Sequence, residues 1–99
     1  MTDTQQLRSL LGQRLEIVQE IARLNARQLQ NRQIFSGLEL EVMQCERDLL
    51  QLADAAAKDG LAAALAQRMA AEARLAEDEN ELTQWHRRLD AVDRQISGI

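Results

Sequence analysis

Three polar side chains near the carboxyl end have the spacing that chemistry on a helix would require. His86, Asp90 and Asp93 follow one another at i, i+4 and i+7, so a helix would place them on one face. A di-iron helical bundle also requires a glutamate three residues before the histidine, where this chain has Thr83. A zinc site requires more ligands than the one His and one Cys present. The pattern therefore favours a solvated helix face over a metal centre.

Cys45 is the other residue with a reactive side chain. A nucleophilic cysteine needs a nearby base and an exposed, electropositive setting. The helical neighbours of Cys45 include Glu41, Glu46 and Asp48, which are acidic. The chain also lacks a glycine-rich phosphate loop, a Ser-His-Asp set and a Cys-x-x-Cys pair. We therefore predict a protein that is not an enzyme and that uses no cofactor, metal or small-molecule ligand.

The composition indicates long helices in a single small domain. The 99 residues include no proline, four glycines, one Phe and one Trp. The net charge of −4, without a basic tract, disfavours binding to nucleic acid or to an anionic membrane. The longest apolar run, Leu61 to Ala66, is far shorter than the roughly 20 residues of a membrane span. With no signal-peptide pattern at the start, we expect a cytoplasmic protein.

Apolar residues recur at alternating three- and four-residue spacing along the first half of the chain. Eleven of the fourteen residues in this row, the first seam, are apolar. The row keeps one heptad register through Ser36–Gly37, where a chain reversal would usually reset it. One helix over about residues 4–57 is therefore predicted, capped by Thr2, Asp3 or Thr4. The first seam is Leu7, Leu10, Arg14, Ile17, Ile21, Leu24, Gln28, Asn31, Phe35, Leu38, Val42, Cys45, Leu49 and Leu52.

A turn is predicted at residues 58–60. Lys58 is typical of a helix C-terminus and Asp59–Gly60 is a turn signal. A second helix over about residues 61–97 follows, with its own row of seam positions. This second seam is Leu61, Ala64, Arg68, Ala71, Leu75, Asp78, Leu82, Trp85, Leu89, Val92, Ile96 and Ile99.

The predicted fold is all-α: a single domain over residues 1–99 that forms a long antiparallel helical hairpin, or coiled coil. A three-helix bundle with a turn near Gly37 is the alternative. A further set of apolar residues, the outer row, lies beside the first seam and suits a helix with two neighbours. The outer row is Leu11, Leu15, Val18, Ala22, Leu29, Met43 and Leu50.

Reversal at Asp59–Gly60 would leave the amino-terminal part of the first helix without a partner in the same chain. Ile96 would reach only as far as Ala22, so Leu7 to Ile21 would project beyond the hairpin. We therefore predict an oligomer, or a helical protein partner, that covers this apolar face. The predicted interface residues are Leu7, Leu10, Ile17, Ile21, Leu24, Trp85, Leu89, Val92 and Ile96. Polar seam residues are predicted to fix register and specificity, namely Arg14, Asn31, Arg68 and Asp78.

Charge is distributed unevenly along the chain. Residues 1–33 contain five Arg and three acidic residues, a net charge of +2. Residues 38–59 contain two bases and six acids, a net charge of −4. These segments would complement each other if packed antiparallel. Either a turn at Gly37 or an antiparallel dimer would bring them together.

The central quarter of the chain, "IFSGLELEVMQCERDLLQLADA", resembles the FlgN-like flagellar and type III export chaperones. The resemblance rests on Phe35, Gly37, Leu38 and the segment "ERDLLQL" from Glu46 to Leu52. It implies an elongated helical chaperone that binds an amphipathic client segment.

From the residues themselves we predict a non-enzymatic coiled-coil module for protein–protein interaction or assembly, which acts by burying amphipathic helix faces. An export or assembly chaperone is the alternative.

Overall fold

In a computed structural model that describes residues 2–99, the chain forms two α-helices that pack as a hairpin. Helix α1 spans Asp3–Leu52 and helix α2 spans Ala55–Ser97. The predicted all-α helical hairpin is therefore confirmed. The alternative three-helix bundle is wrong, because α1 continues through Gly37 without a turn.

Helix α1 begins with a capping box. The Thr2 hydroxyl accepts a hydrogen bond from the Gln5 backbone N–H at 3.2 Å. In return, the Gln5 side-chain oxygen accepts one from the Thr2 backbone N–H at 3.1 Å. This arrangement satisfies a backbone donor that has no partner within the helix. Of the three predicted caps, Thr2 is the one used.

The turn lies at Ala53–Asp54, so its predicted position at residues 58–60 is wrong. Ala53 has a positive φ of 47°, and its N–H donates to the Leu49 carbonyl at 2.9 Å. The Asp54 side chain caps α2 by accepting a hydrogen bond from the Ala57 N–H at 2.8 Å. The predicted helix bounds near residues 57 and 61 are corrected to Leu52 and Ala55.

The earlier turn is explained by burial and by helix propensity. The alanines around Asp59–Gly60 favour a helix, and one helical Gly costs only about 1 kcal/mol relative to Ala. A turn at residue 59 would leave the amino-terminal part of the first seam bare. The turn at Ala53 instead lets Leu10, Ile17 and Ile21 be buried, and each such burial is worth roughly 1.5–3 kcal/mol.

The chain divides into two compact units, each containing a segment of both helices. The first unit contains Asp78–Ile99 and the chain up to Arg27. Its core combines residues from both seams, and Trp85, Leu89 and Ile96 pack against that core half-buried. The core residues are Ile17, Ile21, Leu24, Leu82 and Val92.

The second unit is Gln28–Glu77 and includes the turn. Its buried apolar residues are Val42, Ala64 and Ala71. The two alanines lie on the second seam, where small side chains permit close packing. Phe35, Leu38 and other seam residues are half-buried around them.

The heptad pattern predicted burial along both helices. Every described position of the two seams is buried or half-buried except Arg14, Leu52 and Ile99. The two seams therefore face each other within one chain.

Candidate interaction surface

The nine apolar residues predicted to form an interface with another chain lie in the seams of the hairpin. All nine are buried or half-buried within the single chain. Two ion pairs mark how the helices align, because each joins α1 to α2: Arg14 pairs with Asp93, and Arg27 pairs with Asp78. With the turn at Ala53, α2 reaches further along α1, so the expected projection of Leu7 to Ile21 is wrong. This correction removes the reason for assigning those residues to an interface.

A buried charge interrupts the apolar core of the first unit. Asp78 lies on the second seam and is 2% exposed. The Arg27 guanidinium donates to Asp78 at 2.7 Å and to Glu81 at 2.8 Å. These hydrogen bonds, first that to Glu81 and then that to Asp78, raise the pKa of Arg27. Asp78 thus has an arginine partner in its own chain.

The other polar seam residues have different surroundings. Arg14 is half-exposed and its Nε donates to Asp93 at 2.8 Å. Asn31 and Arg68 are half-buried in the second unit. Arg14 and Asp78 therefore link α1 to α2 within the chain, while the specificity role of Asn31 and Arg68 stays a prediction.

One ion pair lies along the surface of α1. The Arg23 guanidinium hydrogen-bonds the Glu20 carboxylate one turn earlier. This hydrogen bond lowers the pKa of Glu20, and it also raises the pKa of Arg23. The Arg23 side chain is exposed and the Glu20 side chain is partly exposed, so the pair adds little to stability.

The residues singled out for possible chemistry are not assembled into a reactive site. His86 and Asp90 are exposed, and Asp93 is paired with Arg14. Cys45 is half-buried on the first seam. Within residues 2–99, no three His, Cys, Asp or Glu side chains are placed to hold a metal ion.

Trp85 also has a partner within the chain. It packs half-buried against the core of the first unit. The guanidinium of Arg88, which lies 4.5 Å from the ring centroid, covers part of the indole. Trp85 therefore contributes to the hairpin core and does not stand free as an anchor.

The outer row remains exposed in the first unit. Leu11, Leu15 and Val18 are 49%, 58% and 38% exposed, and Ala22 is exposed as well. Each residue directly follows a seam residue, so the row lies about 100° around the helix from the face that contacts α2. In a bundle of helices, this is the position of a second neighbour.

The outer row is also exposed in the second unit. Met43 and Leu50 are 49% and 86% exposed. Leu29 is exposed too, as are Leu40 and Leu52 outside the row. Single exposed apolar residues are ordinary on protein surfaces, but a set at heptad spacing on one face suits a partner helix.

No protein-family model, curated protein or solved structure matches this chain. Between residues 2 and 99, neither helix has a stretch long and apolar enough to cross a membrane. The candidate interaction surface is the exposed outer row.

Proposed function

We propose that this chain is a non-enzymatic helical module for protein–protein interaction and assembly. It acts by burying the outer row of α1 against a helix of another chain, which is a second copy or a different protein. The seams fold the hairpin, and the outer row binds the partner. Its compartment is the cytoplasm.

The exposure of Leu11, Leu15 and Val18 is the observation that carries this proposal. Covering one such side chain is worth up to roughly 1.5–3 kcal/mol when burial is complete. Three of them on one face provide the apolar core of a helix–helix contact, and the adjacent exposed Ala22 lets a second helix approach closely. The row contains no charged residue between Leu11 and Ala22 at its heptad positions.

The resemblance to the FlgN-like export chaperones supports a second candidate function. In that case the outer row would hold an amphipathic client segment reversibly, and the client would be released during export or assembly. Both candidates use the same surface, and they differ in whether the partner is a permanent component or a transient client.

A double substitution on the outer row tests the proposal. Leu15→Gln/Val18→Gln removes apolar area at exposed positions and leaves both seams intact. Ala91→Gln is the matched control, because Ala91 is an exposed helical residue of the same unit. Circular dichroism should show unchanged helicity in both variants.

Light scattering and titration with a designed amphipathic helical peptide then report association. The wild type and Ala91→Gln should self-associate or bind the peptide, and the double variant should do so at least tenfold more weakly. A wild type that stays monomeric and binds no helical peptide would contradict the proposed function.

A further inference from the structure

We infer that the second unit, Gln28–Glu77, opens on its own while the first unit stays folded. In the opened state α1 and α2 separate within the second unit, and seam residues that are half-buried in the closed hairpin become accessible, among them Phe35, Leu38 and Leu49. The second unit is therefore a conformational device that uncovers a further apolar surface. This opening involves the seams and not the outer row, so it goes beyond the proposed function.

The two units differ in the size of their buried apolar side chains. The first unit buries Leu, Ile and Val side chains from both helices, and Trp85 packs half-buried against them. The buried apolar residues described in the second unit are Val42 and two alanines, Ala64 and Ala71. Hydrophobic stabilisation rises with the apolar area removed from water, so an alanine contributes much less than a leucine or isoleucine. The fully buried core therefore holds the helices together less strongly in the second unit.

The polar seam residues reinforce this difference. Gln28, Asn31 and Arg68 are half-buried at seam positions of the second unit, and a polar side chain at such a position lowers the stability of helix pairing. Arg14 and Asp78 are the polar seam residues of the first unit, but each forms an ion pair that joins α1 to α2. Among the described residues of the second unit, no ion pair joins the two helices.

The ion pairs of Arg27 mark where the opening stops. Arg27 is the last residue of the first unit on α1, and Asp78 is the first residue of that unit on α2. The Arg27 guanidinium donates to Asp78 at 2.7 Å and to Glu81 at 2.8 Å. Separating the helices beyond this point breaks both charge-assisted hydrogen bonds and then exposes the larger side chains of the first core. The cost of opening therefore rises at Arg27 and Asp78.

Thiol labelling at two matched seam positions tests this inference. The opening is measured at side chains because the alanine-rich part of α2 favours a helix even when it is apart from α1. In a Cys45→Ala background, Val42→Cys and Val92→Cys each replace one buried valine, 1% and 7% exposed, in the second and the first unit. A slow alkylating reagent labels a buried thiol when the surrounding structure opens. After division by the rate in the urea-unfolded chain, Val42→Cys should be labelled at least about tenfold faster than Val92→Cys.

A mild substitution in the first core separates local opening from global unfolding. Ile17 packs in the same core as Val92, so Ile17→Val should speed the labelling of Val92→Cys by roughly 2- to 10-fold. The labelling of Val42→Cys should not change, because the second unit opens without the first. Ile21→Val should act in the same way, so the test does not depend on one variant.

Two results would overturn the inference. The first is a normalised rate at Val42→Cys that is less than about tenfold above the rate at Val92→Cys. The second is an equal acceleration of both positions by Ile17→Val and Ile21→Val, which would mean that the hairpin opens as one cooperative structure. Neither result involves the outer row, so the proposed function would stand or fall separately.

Discussion

Arg27 and Asp78 form an ion pair across the hairpin at 2.7 Å, although Asp78 lies on an otherwise apolar seam and is almost fully buried. A buried carboxylate is costly without a partner. Because Arg27 meets Asp78 in only one alignment of the two helices, the pair disfavours slipped registers of the hairpin. We regard this pair as the main polar determinant of how α1 and α2 align.

Removing one partner of this pair should destabilise the hairpin more than removing both. Arg27→Leu leaves the Asp78 carboxylate buried without its arginine, so the melting temperature should fall by several degrees. The double variant Arg27→Leu/Asp78→Leu should recover most of that loss, because two apolar side chains suit the seam. Thermal unfolding followed by circular dichroism measures both.

The half-exposed pair Arg14–Asp93 is the control for this comparison. Arg14→Leu should change stability by no more than about 1 kcal/mol, since exposed ion pairs contribute little. If Arg27→Leu unfolds at the same temperature as the wild type, Asp78 does not depend on Arg27.

Replacing Gly37 with alanine should stabilise the chain. Gly37 is helical, its φ is not positive, and a Cβ at this position would contact nothing within 4 Å. Alanine should therefore raise the free energy of unfolding by about 0.5–1 kcal/mol through its helix propensity. Urea unfolding measures this change, and a loss of stability would mean that Gly37 is required at a turn.

Replacing Ala53 with glycine should leave the stability of the chain unchanged or raise it, because the backbone conformation at this position favours glycine. Ala53 occupies the left-handed region at a φ of 47°, which costs an L-residue roughly 1 kcal/mol and costs glycine little. Ala53→Gly should be neutral or stabilising by up to about 1 kcal/mol, with Ala56→Gly in the first turn of α2 as a destabilising control. Equal destabilisation by both would argue against a turn at Ala53.

The lowered pKa of Glu20 predicts a small loss of stability in acid. Since the pKa of Glu20 is lower in the folded state, the Arg23 hydrogen bond stabilises the fold fully above the ordinary glutamate pKa of 4.5, and that contribution is lost as pH falls through the folded pKa. When the pH is lowered from neutral to acidic, the melting temperature of Glu20→Gln should therefore fall less than that of the wild type. The difference should be within about two degrees, because the Arg23 side chain is exposed and solvent screens the pair. Identical pH profiles would contradict the assignment.

The sequence predicted burial well because the heptad period determines which face of a helix is apolar. Leu10, Ile17, Ile21 and Val92 are buried as their seam positions require. The period does not determine the axial register in which two helices pair. Asp59–Gly60 is a strong local turn signal, whereas Ala53 carries none, and the long-range burial of the amino-terminal seam decided the outcome.

That error in the turn also misplaced the candidate site. A turn at Asp59–Gly60 would leave the amino-terminal part of the first seam uncovered and would make that part, not the outer row, the binding surface. The structure reverses these roles, because α2 covers the first seam while Leu11, Leu15 and Val18 stay exposed. The pairing of Asp78 with Arg27 was missed for the same reason, although the seam position of Asp78 had already marked it as unusual.

The accessibility of the outer row in solution tests the central claim most directly. In the Cys45→Ala background, Leu15→Cys and Ala91→Cys each place one thiol on an exposed helix position of the first unit. Their rates of alkylation are compared over a wide range of protein concentration, with and without the amphipathic peptide. We predict that Leu15→Cys becomes protected as the concentration rises or the peptide is added, while Ala91→Cys reacts at a constant rate. Equal and constant rates at both positions under all these conditions would contradict the account.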